Sequence, residues 1–277
     1  MKRRALTPLV TFPDSSPQGS AGSAAVLARL LEADLHALTL VAEIREVSNA
    51  LSRMMLDVTA MTREAEKRSK TAATLLLQAV GDAAKAQAVS MTSESVAAAP
   101  ELFGEVAARH ARYFDCSIVG WEPGNRAVCD LAEALMFGSG RPVFLLPGAA
   151  PKTLDRIAIA WDGSAAAAGA VAAASSLIAG AREVTVLTAA DDKPLEERAP
   201  GERMNEALRL SDVDAKFVEV KAMDEPIEAT LQDAARDAGV DLMVMGAYGH
   251  SRMRDFVLGG ATKGVLADLR LPLMLVR

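Results

Sequence analysis

Residues 241–262 read DLMVMGAYGHSRMRDFVLGGAT, and the order of residue types in this stretch decides how the chain is read. Asp241 to Met245 is an apolar run of strand length that stops at a glycine. Gly246 and Gly249 open a loop carrying His250, Arg252 and Arg254. The loop closes on Gly259-Gly260, and Ala261-Thr262-Lys263 begins a short helical pattern running to Asp268. A strand, a glycine-rich loop and a helix start therefore follow one another. Glycine lets the main chain approach an anion with no Cβ in the way, and the first amides of a helix have no partner within it. The combination predicts a phosphate cradle. A ligand-free strand-to-helix turn is the plain alternative, but such a turn has no need of a loop this long with two arginines in it.

Three phosphate-binding patterns compete for the stretch. A P-loop requires Gly-Lys followed by Ser or Thr at the helix start, and Gly260-Ala261-Thr262-Lys263 has a different order. A dinucleotide fingerprint spaces its glycines more closely after the strand. The spacing present is Gly246-x2-Gly249-x9-Gly259. On these residues the sequence resembles the ATP-binding subgroup of the universal stress protein family, whose signature is G-x2-G-x9-G followed by Ser or Thr. The resemblance runs from Arg156 to Arg277 and extends more weakly into the first half. It departs from the signature at Gly260, which stands where the family has a hydroxyl residue; Thr262 is the hydroxyl two positions later.

Composition narrows the function classes. In 277 residues, 51% are hydrophobic and 4% aromatic, so the core is aliphatic and alanine-rich. A formal charge of −6 argues against sequence-independent nucleic-acid binding, which requires a basic face. Cys116 and Cys129 have no metal-ligand spacing, and His36, His110 and His250 are far apart, so no metal site is readable. The thiols suit a reducing, cytoplasmic setting. No uninterrupted apolar segment is long enough to span a bilayer, so no membrane partner is expected.

The remaining chain alternates strand and helix patterns. In the first half, strands are expected at 6–12, 35–42, 87–91, 115–121 and 142–146. Helices are expected at 20–33, within 47–80, at 100–113 and at 127–137. Pro147 to Pro151 (PGAAP) reads as a linker. The second half repeats the order, with strands at 156–161, 183–187, 215–220, 241–245 and 272–276. Its helices are expected at 165–179, 202–210 and from Pro226 to Ala238, before the short one that starts at Ala261. Landmarks such as Asp14 and Asp162, Asp115 and Asp241, and Pro142 and Pro272 align the halves. The first half carries its extra residues between strands one and four. Its counterpart loop, Gly120-Trp121-Glu122-Pro123-Gly124, lacks a third glycine and puts a carboxylate where phosphate would sit. The expected fold is α/β, with two tandem Rossmann-like (flavodoxin-like) domains. Each has a five-stranded, mostly parallel sheet with flanking helices. The domains are 1–148, degenerate, and 152–277, with the nucleotide-binding loop.

The resemblance implies strand order 3-2-1-4-5, with the ligand at the carboxyl ends of strands one and four. It implies ATP, alone or with magnesium, as the ligand of the second domain. Ala160, Trp161 and Asp162 would lie beside adenosine, with Thr188 near by position. Gly246, Gly249, His250 and Gly259 would line the loop, and Gly260, Ala261 and Thr262 would hold phosphate. Asp162 has a second reading, as a cap with Ser164 for the helix starting at Ala165. No nucleophile elbow or carboxylate–histidine pair marks a catalytic site, so binding is favoured over turnover. A nucleotide-free dimeric scaffold and a slow ATPase are the alternatives. The resemblance further implies antiparallel pairing of the terminal strands, 143–146 and 273–276. That pairing would make an internal pseudo-dimer, to which a further homodimer could be added.

Overall fold

The computed structural model describes residues 2–44, 58–190, 199–221, 226–247 and 260–277. It divides into two compact units, Met1–Arg141 and Pro142–Arg277. In the first unit β1 (Arg3–Val10) lies between β2 (Ala33–Ala42) and β4 (Cys116–Trp121), and β3 (Met91–Ala98) forms the outer strand beyond β2. All these pairings are parallel. Strands β1, β2 and β4 are almost entirely buried, as expected of parallel strands covered on both faces by crossover helices. Those helices are α1 (Gly19–Leu30), α2 (Val58–Ala86), α3 (Phe103–Ala111, entered through a 3-10 turn at Pro100–Leu102) and α4 (Arg126–Gly138).

The structure moves one strand of the sequence reading. The third strand, expected at 87–91, is β3 at Met91–Ala98. Its residues Thr92 to Ser95 are exposed and polar, so hydrophobic alternation is missing and the sequence carries no strand signal. The eight-pair ladder from Leu35↔Met91 to Ala42↔Ala98 holds it instead. The part of the expected 47–80 helix that precedes Val58 lies outside the described residues.

The second unit has β6 (Arg156–Ala160) between β7 (Glu183–Ala190) and β9 (Leu242–Gly246), with β8 (Ala215–Lys221) outside β7 and β10 (Leu273–Val276) outside β9. These five are parallel and give the order expected, 3-2-1-4-5. A sixth strand, β5 (Val143–Pro147), pairs antiparallel with β10 through Val143↔Leu275, Phe144↔Met274 and Leu145↔Leu273. By its contacts β5 falls in this unit, although in sequence it ends the first strand–helix series. The helices are α5 (Ala165–Ala173), α6 (Ser175–Gly180), α7 (Pro200–Arg209), α8 (Ile227–Asp237) and α9 (Gly260–Ala267). The single helix expected at 165–179 is interrupted at Ala174, a fully buried residue.

Candidate functional site

Strand β6 has β7 on one side and β9 on the other, so the winding of the second unit reverses at this strand. In open α/β sheets the crevice at the carboxyl ends of such strands is where ligands bind. Ala160 pairs with Met245 across that reversal, which brings Trp161 and Asp162 close to Gly246 at the end of β9.

Each described residue there has a local physical reason. The Trp161 N–H donates to the carbonyl of Leu187 at 2.8 Å, extending the β6–β7 ladder by one residue. The Thr188 hydroxyl is buried and donates to the Trp161 carbonyl at 2.9 Å. The start of α7 covers it: a Cβ on Gly201 would stand 2.5 Å from Thr188 Oγ1. Asp162 Oδ1 accepts from the Ser164 N–H at 2.9 Å, and Ser164 Oγ accepts from the Ala167 N–H at 3.1 Å. Asp162 and Ser164 therefore build the start of α5, as the capping reading expected.

Gly246 explains why α5 begins where it does. A Cβ there would come within 2.4 Å of the Ala166 carbonyl carbon and 2.5 Å of the Ala167 nitrogen. The first turn of α5 presses directly on the end of β9, and only glycine leaves room for it. Sequence reasoning gave Gly246 to the ligand and missed Ala166 and Ala167 as its neighbours; two alanines in an alanine-rich helix carry no signal.

Gly249, His250 and Gly259 lie outside the described residues. Gly260, Ala261 and Thr262 form the first turn of α9, where helical N–H groups have no partner within the helix. Helix α9 leads back to the parallel strand β10, so it starts on the carboxyl side of the sheet, the side of Trp161, Asp162 and Gly246. The residue before α9 in sequence is Gly259, which has no side chain to cap it.

The first unit treats the corresponding place differently. Ser69 of α2 is fully buried, accepts from the Ala42 N–H at the end of β2 at 2.7 Å, and is bonded to Thr11 Oγ1 at 2.6 Å. Thr11 in turn donates to the Leu40 carbonyl, and Glu66 Oε1 accepts from the Ile44 N–H at 2.9 Å. Asn125 caps α4 through Val128 N–H and holds the Ser15 carbonyl and Glu122 with its amide. Ser20 fills the position beside Gly120, where a Cβ would stand 1.9 Å from its own. Strand ends and helix start are thus satisfied by the chain itself. Ser69 and Glu66 were not identified from sequence because their partners are distant along the chain, whereas Asn125 carried a local capping signal, three residues before Val128, that sequence reasoning missed.

The two indoles share a feature. Nε1 of Trp121 and of Trp161 is buried with no hydrogen-bond partner among the described residues. Both thiols are free, and burial pushes the Cys116 thiol up to about 12, with Asp115 adding to the effect and Arg3 opposing it. Cys129 is raised for the same first reason, with Asp130 and Glu133 contributing. Neither is a thiolate at neutral pH.

Residues 153–277 match the model of the universal stress protein family. They form a universal stress protein domain. The chain is 29% identical over 83 residues to a universal stress protein of Methanocaldococcus jannaschii; the match covers 30% of this chain and 51% of that protein. The chain thus spans about half the length of that curated relative. A universal stress protein from Archaeoglobus fulgidus superposes with a TM-score of 0.71 at 12% identity, covering 98% of this chain and 96% of that one. A Pseudomonas aeruginosa chain provisionally named a universal stress protein gives 0.59 at 17% identity, covering 99% and 93%. These two likenesses establish the fold across nearly the whole chain, including the half that lies outside the universal stress protein domain.

Proposed function

We propose that the universal stress protein domain binds an adenine nucleotide, ATP alone or with magnesium, and that the chain is a cytoplasmic stress- or energy-responsive binding and regulatory protein. One contrast carries the reading. In the first unit Ser69, Glu66 and Asn125 occupy the strand ends and the start of α4. In the second, the sequence places Gly259, a residue with no side chain, directly before α9 and at the end of a glycine-spaced loop. The α9 amides at Gly260, Ala261 and Thr262 would hold phosphate oxygens, with the Thr262 hydroxyl added directly or through the metal. Trp161 would face the base, and Gly249, His250 and Gly259 would lie along the ribose-phosphate path. Bound nucleotide supplies charge and a readable occupancy; with no nucleophile elbow or carboxylate–histidine pair readable near the loop, binding is favoured over turnover. The antiparallel pairing of the terminal strands, β5 with β10, lies within the second unit.

Calorimetry of the full chain with Mg-ATP, repeated on Thr262→Ala, tests the reading. Heat that saturates and weakens in the variant supports it; no heat at millimolar nucleotide overturns it. Phosphate release equal in both proteins removes the slow-ATPase alternative. Trp161 favours one second reading, a nucleotide-free scaffold: its indole is half-buried at the end of β6, with Nε1 buried and without a partner among the described residues. Trp161→Ala separates the two, since loss of a stacking ring weakens nucleotide binding, whereas removal of a plug creates or strengthens it.

A further inference from the structure

At the other end of the first unit's sheet, three elements bring ionisable side chains together. Glu94 on β3 lies between two histidines: its Oε2 is 3.9 Å from His36 Nε2 on β2 and 3.8 Å from His110 Nδ1 on α3. His36 shares a 2.7 Å hydrogen bond between Nδ1 and Thr92 Oγ1, also on β3. Its ring stacks on Phe114 with centroids 5.2 Å apart, and the Arg4 guanidinium sits 4.6 Å over the same phenyl ring. The charged groups facing His36 are therefore Glu94 from β3, Arg4 from β1 and His110 from α3, while Asp115 accepts from the Arg4 N–H. The separations exceed the roughly 3.4 Å between ligands of a tetrahedral zinc, and no metal-holding group of such residues occurs among the described residues. The ligand this arrangement suits is a proton.

We propose that the His36–Glu94–His110 cluster is a proton-operated latch that holds the outer strand β3 on β2 at neutral pH and releases it in acid. Among the described residues no strand lies outside β3 in its unit, and Thr92 to Ser95 are exposed. The strand is held by its ladder to β2, by the hydrogen bond between Thr39 Oγ1 and Ser95 Oγ, and by the side chains that reach His36. A cation created at His36 sits in a half-buried place beside Arg4 and His110, with Glu94 to offset it. Opening of β3 gives His36 access to water, so the open state takes the proton more readily and acid favours it. The direction agrees with the balance at His36, whose affinity for the proton is lowered first by burial, then by Arg4 and His110, against Glu94.

Hydrogen exchange of the full chain, read as protection factors over residues 91–98 at about pH 7.5 and about pH 5.5, tests this, with β8 of the second unit as internal reference. Protection of β3 is expected to fall several-fold in acid while β8 holds. Glu94→Gln, which removes the one favourable charge, should deepen the fall; His110→Gln should make it shallower; His36→Gln should abolish it. A wild-type β3 that keeps its protection, or an undiminished fall in His36→Gln, overturns the proposal. If His36→Gln does not fold, the opposite shifts of Glu94→Gln and His110→Gln decide, and their absence overturns it.

Discussion

At Gly246 a hydrogen stands where any other residue would drive a Cβ to within 2.4 Å of the Ala166 carbonyl carbon. Main chain cannot turn aside as a long side chain can, so Gly246→Ala should lower stability by about 1–3 kcal/mol, the range for overpacking, measured by urea unfolding. Loss of nucleotide binding in that variant would report a displaced α5 as much as a lost contact, which makes Thr262 the cleaner probe. Gly260→Ser restores the family's hydroxyl at the first position of α9. It should tighten Mg-ATP binding by about 0.5–1.5 kcal/mol, the worth of one neutral hydrogen bond, with calorimetry as the readout. Cys116 is buried with its thiol pushed up to about 12, so thiol-labelling mass spectrometry should find it unmodified in the folded protein at neutral pH and modified after denaturation.

Among the elements, α2 does what its sequence does not announce. Its charged run at 63–70 reads as ordinary amphipathic helix, yet the residue that matters is Ser69, packed on the ends of β1 and β2. Ser69→Ala leaves the Ala42 N–H buried without its acceptor and should cost about 1–3 kcal/mol, visible in the unfolding midpoint. Strand β3 shows the converse. Its polar residues hide it from periodicity, and only the ladder to β2 makes it a strand. Its neighbour His36 ties stability to pH in one direction. Because its folded-state value is lowered from 6.5, the stability from keeping the ring neutral is complete above that pH and is lost as pH falls through the lowered value.

For the whole molecule, β5 sets the boundary. The linker at Pro147–Pro151 suggested a second domain starting at residue 152, whereas contacts place β5 with the second unit, against β10. A fragment 142–277 keeps that pairing and should self-associate less in sedimentation than one that lacks β5. A fragment 152–277 exposes the edge of β10 and should self-associate through it, since unpaired strand edges recruit further strands. Equal behaviour of the two fragments would show that β10 has no need of β5.

By itself the sequence determined most of the alternation of strand and helix and the glycine spacing ahead of α9, because each is written in residues close together along the chain. Strand order in the second unit followed from the resemblance those residues carry. Only the tertiary structure decided which strand completes the second sheet and that Ser69 and Asn125 close the first unit's strand ends. It likewise decided that Gly246 makes room for α5 and that Glu94 lies between two histidines. Each of these depends on a partner far away in sequence, and burial and hydrogen bonding are settled by what folding brings near.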